Sequence, residues 1–258
     1  MHRVRTEMPT AKSRLRQQIK DTLSKLSSDA VSTQSSNAVS VLLKMPEYQE
    51  ARRIGIYLSM PTSEISTGRV VQDALQRGKK VFVPYIFKLA PEVRDPSDRL
   101  EYRPPNSAMD MLELHSMDDY ESLKPDKWGI PSLGKDTAAS RYNCFGKQGP
   151  SVRLLQQLLP GSRALDMIVM PGMAFDERLG RLGHGKGFYD RFLQRYKEID
   201  KSVADASGEK PRMPLLVGLA LTEQVLAPDQ TVPMTATDWP LDALVTGDGK
   251  LRSPDRAS

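Results

Sequence analysis

Arg53-Ile-Gly-Ile-Tyr-Leu58, a helical stretch from Thr67 to Arg77, and Lys80-Val-Phe-Val-Pro84 together decide the fold. The two short apolar runs read as buried strands. Between them Val70, Val71, Ala74 and Leu75 fall on one side of a helix, and Gly78 is placed to end it in the left-handed conformation that glycine adopts without cost. Strand, helix, strand at this spacing is a βαβ unit, which implies a parallel pair joined by a right-handed crossover.

On the N-terminal side, Leu15, Ile19, Leu23 and Leu26 recur at helical spacing from Ala11 onward. A second helix is predicted from a Ser28/Asp29 cap, carrying Val31, Ala38, Val41, Leu42 and Met45 until Pro46 ends it. On the C-terminal side the pattern predicts a strand over 108–116, a short helix at Leu154–Leu159, and a strand at Asp166-Met-Ile-Val-Met-Pro171. A helix over Lys186–Glu198 with Phe188, Phe192, Tyr196 and Ile199 on one face follows, then strands at 214–220 and 241–246. Four prolines make 88–107 read as an irregular loop, while 131–150 and 200–212 read as polar surface insertions. The alternation predicts an α/β fold: a single domain over 1–258, with a mainly parallel sheet flanked by helices.

Composition narrows the setting. The chain has 258 residues and one cysteine, Cys144, so it forms no internal disulfide, and no CxxC or Cys/His cluster suggests zinc. A reducing compartment follows, and no apolar stretch is long enough to cross a bilayer. The expectation is a cytoplasmic protein, with a mitochondrial address left open. Lysine and arginine exceed aspartate and glutamate by five, and residues 1–26 alone carry a surplus of that size. Three readings compete for this arm: contact with an anionic ligand, a nucleic-acid or transit segment, or a solvated helix face. It lacks the interleaved aromatics of a base-stacking surface, and Glu7 argues against a transit peptide.

The chemistry concentrates in Met170-Pro-Gly-Met-Ala-Phe-Asp-Glu-Arg-Leu-Gly-Arg-Leu-Gly-His-Gly-Lys-Gly-Phe-Tyr-Asp190, which leads from a strand to the start of a helix. Open α/β sheets bind ligands at this edge. Gly183, Gly185 and Gly187 alternate before the helix, so consecutive N–H groups can be exposed beside Lys186 and Arg181, an arrangement suited to phosphate oxygens. Gly180-x4-Gly185-Lys186 approaches a P-loop, but Gly187 stands where the magnesium-binding Ser or Thr would be. A metal would need carboxylates elsewhere. Asp190 is one turn past Lys186, an ordinary helix carboxylate being the alternative, and Asp176 is a weaker candidate.

Pro171-Gly-x-Ala-Phe-Asp176 followed by Arg181-Leu-Gly-x-Gly-Lys-Gly-x-Tyr-Asp190-Arg191 resembles the signature of the 5-formyltetrahydrofolate cyclo-ligases, also called 5,10-methenyltetrahydrofolate synthetases. Lys12-Ser-Arg-Leu-Arg16, Leu58 to Glu64-Ile65, Trp128-Gly-Ile-Pro131, Val232-Pro, Asp238 and Leu241-Asp242 resemble the family's other landmarks, in its order along nearly the whole chain. The resemblance implies an enzyme that uses ATP and Mg²⁺ to convert 5-formyltetrahydrofolate, with or without a polyglutamate tail, into 5,10-methenyltetrahydrofolate, ADP and phosphate. It implies no nucleic-acid, membrane or obligate protein partner. By the same resemblance Lys12, Arg16, Arg181, Leu182, Gly183, His184, Gly185, Lys186, Gly187, Phe188 and Tyr189 hold ATP, with Lys186 and Arg181 acting on the transferring group. Leu58, Glu64, Trp128, His184, Gly185, Lys186, Gly187 and Phe188 contact the folate, and Asp190 and Asp238 hold Mg²⁺. Phe188 replaces the first tyrosine of the family's Tyr-Tyr-Asp, and Met60-Pro-Thr-Ser-Glu64 is about a residue longer than the pattern. A related ATP-dependent enzyme, an inactive paralogue, and a nucleic-acid-binding protein using the basic arm are the alternatives.

Overall fold

Strands β10 (Ala243–Thr246), β9 (Leu215–Ala220), β6 (Met167–Met170), β1 (Arg53–Ile56) and β2 (Lys80–Lys88) pair side by side in parallel, in that order. Antiparallel β11 (Leu251–Arg252) borders β10, and antiparallel β3 (Ser107–Leu114) borders β2. The structure is a computed structural model that describes residues 10–89, 106–151, 165–207 and 212–254. The expected helix at 154–159, most of the proline-rich loop and residues 1–9 of the arm lie outside the described residues.

A strand turns alternate side chains to opposite faces, and both faces here are apolar, as a parallel sheet requires. Ile54, Ile56, Val81, Val83, Met167, Val169, Val217 and Leu219 point to one side. Helices α1 (Ala11–Leu23), α2 (Ser28–Leu42) and α4 (Gly68–Gln76) cover them with Ile19, Leu23, Ala38, Val39, Leu42, Val70, Val71 and Ala74. Phe82, Ile168, Met170, Leu216 and Leu244 point to the other side, beneath α7 (Phe188–Ser207) with Phe192, Leu193, Tyr196 and Ile199. The α1 periodicity ends at Leu23, and Leu26 packs from beyond the helix.

Several expectations need correction. Pro46 does not merely stop α2, which ends at Leu42; it opens a short helix, α3 (Pro46–Glu50), where its missing N–H costs nothing. Strand β2 runs on to Lys88 because it gains a full antiparallel partner in β3. Residues 131–150 are not a surface decoration: Leu133, Ala138, Arg141, Asn143, Cys144 and Phe145 are buried. Phe145 packs 5.3 Å from Tyr196 and 6.3 Å from Phe192, ring centre to ring centre. Around them lie helix α5 (Met117–Glu121), the paired strands β4 (Lys124–Pro125) and β5 (Pro131–Ser132), and helix α6 (Lys135–Ala138). The polar stretch from 200 begins as helix, since α7 continues to Ser207.

Helix α4 ends as its glycine predicts. Gly78 has φ +70°, its N–H donates to Leu75 O at 3.0 Å, and Lys79 N–H donates to Ala74 O at 3.0 Å. Lys79 then sends its ammonium under the end of α3, donating to the carbonyls of Tyr48 (2.8 Å), Gln49 (3.0 Å) and Ala51 (2.5 Å). The side chain is buried, and burial lowers its pKa. Lys79→Met keeps the stem but strands these carbonyls, so it is expected to cost about 2–4 kcal/mol in urea denaturation. A change below about 0.5 kcal/mol would show that water replaces the ammonium.

Candidate active site

The chain leaves β6 at Met170 and makes a small hairpin of β7 (Ala174–Phe175) and β8 (Arg181–Leu182) before reaching α7. Asp176 builds the turn. Its Oδ1 accepts from Arg178 N at 2.9 Å and Gly180 N at 2.8 Å, and its Oδ2 accepts from Val232 N at 2.7 Å. Asp176 is therefore not a metal candidate: both oxygens are engaged by backbone donors in a buried position. Gly180 is required beside it, since a Cβ there would fall 2.6 Å from Asp176 Oδ2.

After the hairpin the glycine loop meets α1. Arg16 Nε donates to Gly183 O at 2.8 Å, which pins the basic helix to the loop. Gly185 and Gly187 have φ +92° and +60°, the left-handed region predicted for a loop that presents its N–H groups. A Cβ on Gly185 would stand 3.2 Å from Arg16 Cζ, so α1 and the loop touch where the cradle forms. Lys186 is exposed and has no ion-pair partner among the described residues. Lys12 and Arg16 are half-buried, whereas Arg14, Lys20 and Lys25 of the same arm are exposed.

The remaining charges form a chain. Lys12 Nζ lies 2.5 Å from Asp238 Oδ2, which also accepts from Thr235 N at 2.6 Å and Thr235 Oγ1 at 2.7 Å. Burial alone would raise the pKa of Asp238, but the Lys12 and Thr235 donors hold it below the usual range. The next residue, Trp239, donates its N–H to Asp190 Oδ1 at 3.2 Å, and Arg181 Nη2 donates to the same oxygen at 2.8 Å. Thus Lys12, Asp238, Asp190 and Arg181 lie along one connected path. Each carboxylate places all its hydrogen bonds on one oxygen and leaves the other without a protein partner among the described residues. No group of three or more potential metal ligands occurs among the described residues, so Mg²⁺ here would rest on the free oxygens of these two carboxylates, which fits an ion that keeps several waters and needs few protein ligands. Arg181, expected beside the glycine loop and toward the phosphates, is buried and turned to Asp190, with Nε unpartnered among the described residues. The side chain of Leu182 is likewise in the core.

Across the loop, Glu64 is buried; its Oε2 accepts from Met60 N at 3.0 Å and its Oε1 lies 3.3 Å from His184 Nε2. Ser63, with φ +68°, turns the lengthened segment so that the glutamate still reaches the loop. Trp128 is 59% exposed, contrary to ordinary core packing. Asp126 Oδ1 accepts the N–H groups of Trp128 (2.8 Å) and Ile130 (3.0 Å), closing a turn whose Gly129 sits against Pro61, next to Met60. Leu58 is buried in the core and Phe188 is half-buried against α7's cluster. The hydroxyl of Tyr189 is buried without a partner among the described residues, and burial pushes its pKa far up, with Arg181 opposing and Glu64 adding.

The model of the 5-formyltetrahydrofolate cyclo-ligase family matches residues 8–247. The chain belongs to that family. A Saccharomyces cerevisiae 5-formyltetrahydrofolate cyclo-ligase is 30% identical over 92% of this chain and 95% of its own. A Schizosaccharomyces pombe protein, named "Probable 5-formyltetrahydrofolate cyclo-ligase", is 28% identical over 95% of this chain and 100% of its own. The fold matches the solved structure of an Aquifex aeolicus 5,10-methenyltetrahydrofolate synthetase with TM-score 0.59, covering 96% of this chain and 95% of that one at 24% identity. The chain is thus a cyclo-ligase of folate metabolism, and no helix among its described residues is long and apolar enough to cross a membrane. Within this cyclo-ligase, Thr235 and Asp126 were not visible as site residues; each acts through a local turn around a carboxylate, and only a Thr-x-x-Asp or Asp-x-Trp spacing hints at it.

Asp176→Ala separates scaffold from metal ligand. It removes three hydrogen bonds to backbone, so the thermal midpoint is expected to fall by several degrees, equivalent to about 2–4 kcal/mol, equally with and without Mg²⁺. An unchanged midpoint with lost Mg²⁺ binding would restore Asp176 as a ligand.

Proposed function

We propose that this cyclo-ligase uses MgATP to phosphorylate the formyl oxygen of 5-formyltetrahydrofolate, after which N10 closes the ring and phosphate leaves. The observation that supports this reading most is the junction of α1 with the glycine loop, where Arg16 meets Gly183 and Gly185 at the carboxyl edge of a parallel sheet. Glycines in the left-handed region, an exposed lysine and half-buried basic residues from a second element suit a triphosphate.

An amide oxygen is a poor leaving group, and its phosphate ester is a good one. The formyl oxygen attacks the γ-phosphorus and ADP departs; the lone pair of N10 then adds to the activated carbon, N10 gives up its proton, and expulsion of phosphate, which can carry that proton, leaves the methenyl bridge. In this reading the loop N–H groups, Lys12 and Arg16 grip the nucleotide phosphates, and Lys186, free to move, follows the transferring group. Arg181 acts from behind, fixing Asp190 through the 2.8 Å ion pair. Mg²⁺ held by Asp190 and Asp238 would neutralise phosphate charge. Glu64 accepts from pterin N–H donors through the oxygen facing His184, while the exposed Trp128 ring packs on the aromatic part of the folate. The protein supplies position and electrostatic stabilisation, which is most of what phosphoryl transfer requires.

Purified protein with MgATP and 5-formyltetrahydrofolate is expected to generate the methenyl absorbance only when ATP is present. Lys186→Ala is expected to lower that rate by about a hundredfold or more, on the scale of a lost transition-state contact, with an unchanged melting profile. Product formed without ATP, or a folded wild-type protein without product, would overturn the reading.

A further inference from the structure

Lys12 and Asp238 have opposite tasks in the proposed site, one toward phosphate and one toward Mg²⁺, yet here they hold each other at 2.5 Å. The ammonium sits on the carboxylate that a cation would use, and the carboxylate sits on the ammonium that a phosphate would use. Lys12 has no second partner among the described residues, and the two side chains are only 25% and 18% exposed. Thr235 donates twice to the same Asp238 oxygen, so the carboxylate stays in place when the lysine departs.

We propose that the Lys12–Asp238 pair is a specificity determinant that makes the site take the magnesium–nucleotide complex in preference to either component; this rests on the site reading above. Metal-free ATP must draw Lys12 away and leave a bare carboxylate facing a polyanion. Mg²⁺ alone must take Asp238 and leave a bare ammonium beside a cation. The complex brings a partner for each, so both exchanges occur together and neither charge is stranded. Because the coupling is a difference in binding free energy, it acts equally in both directions: metal tightens nucleotide by the factor that nucleotide tightens metal. The same pair joins α1 to the segment carrying Thr235 and Trp239.

A double-mutant cycle read by calorimetry tests this, with ATP in the presence of a chelator and, separately, with MgATP. Asp238→Asn frees Lys12 and is expected to tighten metal-free ATP in the Lys12 background by at least about threefold more than in the Lys12→Gln background, on the scale of coupling between contacting residues. Lys12→Arg, which keeps the charge, is expected to retain the effect, and melting curves confirm that each variant is folded. MgATP is expected to bind more weakly to Asp238→Asn than to wild type. An equal gain with and without Lys12 would show that Asp238 merely repels ATP and would overturn the proposal alone. Failure of the wild type to bind MgATP would overturn the site reading, and the proposal with it.

Discussion

Parallel strands with apolar side chains on both faces leave little room for charge, and Asp110, buried on the antiparallel edge strand β3, is paired with Arg195. Ile54, Val81, Met167 and Val217 fill one side, and Phe82, Ile168 and Leu216 fill the other, so polar chemistry is driven to the strand ends. At the carboxyl edge the chain supplies the Glu64 segment after β1 and the hairpin and glycine loop after β6. Helix α1, buried by Ile19 and Leu23 on its inner face, turns Lys12 and Arg16 to the same edge. The site follows from what the core excludes.

Within that edge, charges are placed in two ways. Arg181 is buried, a costly state for an unpaired charge, and pairs with half-buried Asp190; their hydrogen bonds hold the start of α7 against Trp239. Lys12, 25% exposed against 3% for Arg181, is closer to solvent, where exchange of partners costs less, while Asp238 is half-buried like Asp190. Lys186 is exposed and has no ion-pair partner among the described residues. Cations held to different degrees, Arg181, Lys12 and Lys186, therefore come from the glycine loop and from α1, which suits the proposed binding and transfer of a charged group.

Much of this was legible in the sequence. The βαβ unit, the α7 aromatic face and the glycine loop each repeat a physical period or a conformational need over enough residues to be read. The β7–β8 hairpin was not, because two-residue strands carry no period, and its turn depends on Asp176 meeting the distant Val232 N–H. Residues 141–145 read as polar surface, yet Arg141 pairs with Asp119 at 2.6 Å and Asn143 hydrogen-bonds Gly149 O at 3.0 Å, so buried polar groups are satisfied by partners that composition does not show. The direction of Arg181 is illegible for a related reason: spacing puts it beside the glycines, but only the packed structure turns its guanidinium inward to Asp190.

The central claim is that phosphate is placed on the formyl oxygen at this edge before the ring closes. Labelling that oxygen of 5-formyltetrahydrofolate with ¹⁸O and analysing the released phosphate by mass spectrometry tests it most directly. One ¹⁸O atom is expected in each phosphate formed; product formation with unlabelled phosphate would show that the formyl oxygen is never phosphorylated.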